Sequence, residues 1–174
     1  MIKHQNLVAK EKEGIELFFE RQIVNDNEFN VNTSDYKNIS PNFDYIAVLE
    51  IPKINLKRGL VDIDSIYNSI DFNIQILKES IMPNIDNSNL ILVAHSGNSN
   101  VSFFKDLDKL EILDNVYLYY NNTVYQYEIY DKYEIEKIGS LKLNKNINSK
   151  IITLITCKDS TNKQLVYIGK LKDN

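Results

Sequence analysis

Apolar residues recur along this chain in two different rhythms, one helical near the start and one extended through the rest. In residues 5–24, Leu7, Val8, Ile15, Phe18 and Phe19 fall at spacings that share one face of a helix, with Lys and Glu between them, so an amphipathic helix is predicted there. Residues 25–42 are rich in Asn, Asp and Ser, run through Ser40-Pro41-Asn42, and read as a linker or wrapped loop. The pattern then turns to strands. Tyr45–Ile51 is a β-rich run ended by Pro52, and Ile54–Val61 is a second. Residues 63–82 read as short helical turns and loop. Leu90–Ala94 is a continuous apolar run between polar neighbours, as a buried strand requires. Residues 101–110 suit a short helix capped by Asn100 or Ser99. Two aromatic-rich runs, Asn115–Tyr120 and Thr123–Tyr130, flank Asn121-Asn122, a pair that tolerates positive φ and so predicts a hairpin. Strand character continues toward Ile138, and residues 139–150 form a polar loop. Ile151–Thr156 and Leu165–Leu171 are the last two strands, joined by Lys158–Lys163.

Seven or eight short strands with few long helices make a mainly β fold, a barrel or a sandwich. No internal repeat is visible. A length of 174 residues fits one domain with a short appendage. The boundary is placed between residues 1–42, the helix and its connecting segment, and residues 43–174, the β domain.

Composition narrows the chemistry. The net charge of −4 and the scattered lysines exclude a general nucleic-acid binder, which needs a basic surplus to neutralise phosphates. The single Cys can form no internal disulfide and leaves no cysteine cluster for zinc. The apolar run 90–94 is far short of the ~20 residues that span a bilayer, and Met1-Ile2-Lys3-His4-Gln5 lacks an apolar signal region. Either the protein is soluble by itself or an anchor lies outside this chain. Thiol, imidazole and guanidinium are all scarce: Cys157, His4 and His95, Arg21 and Arg58 are the whole supply.

Cys157 and His95 each stand at the end of a predicted strand, where loops on a rigid sheet build sites. A thiolate is the nucleophilic form of cysteine, and an imidazole supplies the partner it needs. A Cys–His pair is therefore sufficient to begin acyl transfer. By itself, though, a lone Cys in an apolar strand is more often a small core residue, and a separation of 62 residues decides nothing. His4, near the terminus, is given no role.

The local words decide it. Thr153-Leu154-Ile155-Thr156-Cys157 resembles the TLxTC motif of sortases, the cysteine transpeptidases of Gram-positive cell surfaces. Leu92-Val93-Ala94-His95-Ser96-Gly97-Asn98, followed by Phe103-Phe104-Lys105-Asp106-Leu107, is similar to the sortase histidine region, and Ile51-Pro52-Lys53-Ile54-Asn55-Leu56 to the family's opening strand. The three words cover roughly residues 44–172. The resemblance implies a closed eight-stranded β-barrel with short helices and an N-terminal helix. It implies that Cys157 attacks an LPxTG-like sorting signal to form a thioacyl enzyme, and that His95 protonates the leaving amine and then deprotonates an incoming one. The partners implied are the sorting-signal peptide of a surface protein and an amine from a peptidoglycan precursor or a pilin, at the extracellular face of the membrane. No metal or organic cofactor is needed for this chemistry. The subclass stays open between B-like and D-like. The stretch before the cysteine strand is too short for the helical insertion of class B, and no Asp-aromatic lid word of class C is seen.

One departure stands out. Sortases carry an Arg at the start of the strand after the cysteine, and here the matching word is Gln164-Leu165-Val166-Tyr167-Ile168-Gly169. If strands 151–156 and 165–171 pair antiparallel, opposed Cα atoms sit about 4.5–5.5 Å apart and Cys157 and Gln164 become neighbours. A Gln amide can donate to an oxyanion but lacks the charge and fork of Arg. Lys163, one residue earlier, points to the other face once the strand has begun. Thr156 is read as a candidate contact to substrate backbone. By resemblance the loop holding Ile138 and Leu141, with Ile135, Leu143 and Ile147 around it, helps form the pocket for the signal's apolar residues. Other Cys–His hydrolases fit less well: papain-like and NlpC-type enzymes place Cys before His, and the words of L,D-transpeptidases and caspases are absent. A barrel that captures sorting peptides without cleaving them is the non-enzymatic alternative, favoured by the missing Arg.

Overall fold

A computed structural model describes residues 2–26, 44–137 and 148–172 of the chain. Helix α1 spans Ile2–Asp26. Eight strands follow: β1 Tyr45–Ile51, β2 Leu56–Val61, β3 Gln75–Ile76, β4 Asn89–Val93, β5 Asn115–Tyr120, β6 Thr123–Glu136, β7 Ile151–Lys158 and β8 Lys163–Leu171. They form one sheet in the order β2-β1-β5-β6-β8-β7-β4-β3. Every pairing is antiparallel except β4 with β7. The mainly β, eight-stranded, nearly closed barrel with an N-terminal helix is the fold the sequence implied.

The interior is filled by alternate residues of the strands. Ala47, Leu49 and Ile51 of β1, Leu90 and Leu92 of β4, Val116 and Leu118 of β5, Tyr127 and Ile129 of β6, and Ile152 and Leu154 of β7 share one buried cluster. Burying side chains of this size contributes about 1.5–3 kcal/mol each, before chain entropy is set against it.

Strands β2 and β3 end the sheet, and the seam between them is stapled by side chains. Asn68 donates from Nδ2 to the carbonyls of Ile63 and Ile76, at 2.9 Å each, and accepts the Ile76 N–H at 2.7 Å. Buried Asn73 donates to the Gly59 carbonyl at 3.0 Å and accepts from Arg58 Nε at 2.7 Å. Amide side chains thus do here what a backbone ladder does elsewhere.

Helix α1 lies over the outer face of β1 and β2, where Ile15, Phe18 and Phe19 pack on Tyr45, Val48, Val61 and Tyr119. That cover explains why β1 is buried on both faces. The side chains of Leu7 and Val8 lie outside the described residues. Both arginines serve this junction. Arg21 of α1 bonds Asp44, just before β1, and Arg58 of β2 pairs with Glu11 of α1. Gln22 accepts the Asn122 N–H at the β5–β6 turn.

Several boundaries differ from the sequence reading. Residues 101–106 form turns rather than a helix, and only Leu107–Lys109 makes a 3₁₀ turn. The hydroxyls of Ser99 and Ser102 bond each other at 2.9 Å, and the Phe104 N–H is taken by the His95 carbonyl at 3.0 Å, so no helical ladder can start there. The predicted second strand begins at Leu56, because Pro52–Ile54 is a 3₁₀ turn closed by Asn55 in the left-handed region. Within residues 63–82 a two-residue strand, β3, was not foreseen. Residues 27–43, and with them most of the predicted linker, lie outside the described residues.

Candidate active site

Strand β7 is buried on both faces over Ile151–Thr156, with the barrel core on one side and a second apolar cluster on the other. Its even residues, Ile152 and Leu154, face the barrel core. Its odd residues face outward, where Ile151 and Ile155 join Ile91, Val166 and Ile168 in a second apolar cluster flanked by Leu77, Val93 and Ile135. Cys157 shares the alternation of Ile151 and Ile155, so its side chain belongs to this outer face. The strand continues through Lys158, one residue beyond the cysteine. Cys157 is partly buried and its thiol is free.

The antiparallel register of β7 with β8 opposes Cys157 to Gln164. Gln164 is opposed on its other side to Ile135 of β6. Directly opposed residues share a face, so Cys157, Gln164 and Ile135 form one row across three strands at the edge of the outer cluster. Strand β8 begins at Lys163, which therefore faces the other way. Its Nζ lies 3.2 Å from Glu134 Oε2, and Lys158 bonds the other oxygen of the same carboxylate. Those two hydrogen bonds, the one from Lys158 foremost, hold the Glu134 carboxyl below the usual glutamate range.

His95 reaches the same edge by the parallel ladder. Val93 pairs with Ile155, and the Ala94 N–H donates to the Ile155 carbonyl at 3.3 Å. β4 ends at Val93, and His95 follows two residues on, in the segment that leaves the strand beside the end of β7. Two side-chain bonds fix the alignment. Thr156 Oγ1, buried, donates to the Ala94 carbonyl at 2.8 Å, and Ser96 Oγ donates to Asp159 Oδ1 at 2.6 Å. They tie the residues on either side of His95 to the end of β7 and the turn after it. The hydroxyl proton of Thr156 is thus committed within the protein, though the residue does line the adjoining cleft. His95 Nε2 lies 4.0 Å from Asp71 Oδ1, with the carboxylate largely in water.

A cleft of about 500 Å³ opens beside Cys157 at the mouth of the barrel, with Phe104, Thr156, Leu165 and Tyr167 in its wall and Asp108 and Glu134 at its rim. Ile138 and Leu141, the two residues expected to contact the apolar part of a substrate, lie outside the described residues, as do Leu143 and Ile147; Ile135 flanks the outer cluster. Among the described residues no group of three or more His, Cys, Asp or Glu side chains is arranged to hold a metal ion. Sequence reasoning missed the Ser96–Asp159 tie and the approach of Asp71. The only signal for the first is that both residues adjoin the singled-out pair.

The barrel has solved counterparts. The chain is similar to a sortase D5 transpeptidase of Clostridium perfringens, at 24% identity over 95% of this chain and 99% of that one, with a TM-score of 0.69. It is similar to a sortase C of Streptococcus pneumoniae, at 21% identity over 95% and 90%, with a TM-score of 0.67. It is also similar to the sortase C-1 of Actinomyces oris, at 19% identity over 92% and 99%, with a TM-score of 0.65. No curated protein sequence matches. The sortase domain matches residues 49–172, from within β1 to just past β8, and since that span takes in the end of β1 and all of β2 to β8, the chain belongs to the sortase family, whose members are cysteine transpeptidases.

Proposed function

We propose that this protein is a working transpeptidase in which Gln164 takes the place of the usual arginine. The thiolate of Cys157 attacks the carbonyl of a Thr–Gly-type bond in an LPxTG-like sorting signal. The Gln164 amide, with backbone N–H groups, donates to the oxyanion that forms. His95 protonates the leaving amine, the C–N bond breaks, and a thioester to Cys157 remains. An incoming amine, from a peptidoglycan precursor or a pilin, loses its proton to His95 and attacks the thioester, which frees the thiolate and leaves a new amide. The single observation that supports this reading is the row of Cys157 and Gln164 on one face of the β7–β8 hairpin. Residues 43–174 form the catalytic unit in this proposal, and residues 1–42 supply the helix and connection. Ile138 and Leu141 line the pocket for the signal's apolar residues, and Thr156 sets the floor beside it. The site of action is the outer face of a Gram-positive membrane. Among the described residues no helix is long and apolar enough to cross a membrane.

The test is mass spectrometry of the protein after incubation with a panel of LPxTG-like peptides, followed by an added amine. A peptide acyl adduct on Cys157 that transfers to the amine establishes the reaction. The replacement of Arg by Gln favours a second reading, a barrel that binds sorting peptides without cleaving them. Under that reading a peptide binds, with no adduct on Cys157.

A further inference from the structure

The most heavily tied charge outside the site is Arg58, only 7% exposed. A buried guanidinium costs free energy unless every donor finds a partner, and a buried ion pair is seldom better for stability than a packed apolar group of the same size. Its partners come from three separate segments. Glu11 of α1 neutralises it. Asn73 accepts from its Nε at 2.7 Å. The ring of Phe103 lies under it, with Cζ 4.1 Å from the centroid.

Two of those segments flank His95. Phe103 precedes Phe104, whose N–H holds the His95 carbonyl. Asn73 anchors the turn 69–73, in which both Phe72 and Asn73 donate to the Ser69 carbonyl, and that turn carries Asp71 toward His95 Nε2. One buried charge therefore spans the β2–β3 seam and holds both sides of the histidine's surroundings, with its counter-charge on the N-terminal helix.

We infer that Arg58 is a positioning residue for His95, and that docking of α1 through Glu11 is part of the active-site assembly. The kinetic part of this inference rests on the transpeptidase reading above; the structural part does not. Loss of the tie lets the histidine loop shift, and small displacements from sites remote from the chemistry lower turnover by about 10- to 100-fold.

The test compares Glu11→Gln, Arg58→Met and Arg58→Lys in the full chain. Two readouts are taken, kcat and KM for transfer from a sorting peptide, and the imidazole ¹H–¹³C NMR signal of His95. Only His4 and His95 contribute such signals, and His4→Gln assigns them. The expected result is a shifted or broadened His95 signal in folded Glu11→Gln and Arg58→Met, with kcat lowered and KM little changed. Arg58→Lys recovers part of both, and Lys12→Gln on the same helix changes neither. Should Arg58→Met fail to fold, Glu11→Gln decides alone. An unmoved His95 signal in every folded variant overturns the inference, whatever the activity. If the wild-type chain transfers no peptide, a shifted signal still supports the tie while the transpeptidase reading fails.

Discussion

Cys157 and Gln164 face each other directly across the β7–β8 ladder, so the Gln164 amide shares a sheet face with the thiol. If its amide supplies an oxyanion donor, Gln164→Ala lowers kcat by about 10²–10³-fold, the usual loss for one such donor. Alkylation of Cys157 by iodoacetamide in the same variant is expected to stay near wild type. Unchanged turnover on a verified substrate would remove Gln164 from the mechanism. Lys163→Ala is the matching control, since its ammonium is held by Glu134 on the opposite face.

If His95 serves as both general acid and base, His95→Ala removes the two together. A loss of about 10²–10⁴-fold in transfer is expected, with peptide binding retained by equilibrium titration. Transfer at the wild-type rate would mean that another group moves the protons.

Thr156 supplies one of the hydrogen bonds that hold the histidine segment to β7. Thr156→Val keeps the shape but leaves the Ala94 carbonyl without this donor, at a cost of about 1–3 kcal/mol in urea unfolding. Thr156→Ser keeps the hydroxyl and is expected to cost less. Equal stability of the two variants would show that the bond contributes nothing.

Gly59 lies against the ring of Tyr45, and a Cβ built there meets ring carbons at 2.4 Å. Neither the strand nor the ring, wedged beneath α1, has room to give. Gly59→Ala should therefore destabilise by about 1–3 kcal/mol, read as a lowered Tm in calorimetry. An unchanged Tm would mean that the helix can lift away at no cost.

The Glu134 carboxyl titrates below the usual glutamate range because Lys158 and Lys163 bond it in the folded state. A depressed folded pKa contributes stability that is fully present above the unfolded value and is lost as pH falls through the folded one. Any Tm difference between wild type and Glu134→Gln at neutral pH should thus persist to below about pH 4.3, the unperturbed glutamate value, and close only in stronger acid. A gap that closes above that pH would contradict the paired carboxylate.

How far the sequence foretold these features depends on how local their causes are. The hairpin at Asn121-Asn122 was legible because both residues take positive φ, 48° and 56°, and asparagine tolerates it. The neighbourhood of Cys157 and Gln164 was legible because a short turn sets an antiparallel register. That the His95 segment leaves its strand beside β7 was not readable from spacing. It depends on a parallel ladder between β4 and β7, and only the resemblance of the surrounding words suggested it. Strand β6 concealed a reversal of its own. A bulge between Ile129 and Asp131 shifts the alternation, so Tyr127 and Ile129 enter the core while, further along, Ile135 turns outward beside Gln164. The Arg58 cluster draws on β2, α1, Asn73 and Phe103, and no run of sequence announces a meeting of four distant segments.

The parallel pairing of β4 and β7 also bears on how the protein comes into being. His95 emerges from the ribosome 62 residues before Cys157, and Gln164 follows seven residues later. Strand β8 must then insert between β6 and β7 to complete the sheet. Contacts this distant along the chain form late and slowly. Until β8 is in place Cys157 has no Gln164 across from it, so the row at the mouth of the barrel is among the last features of the sheet to form.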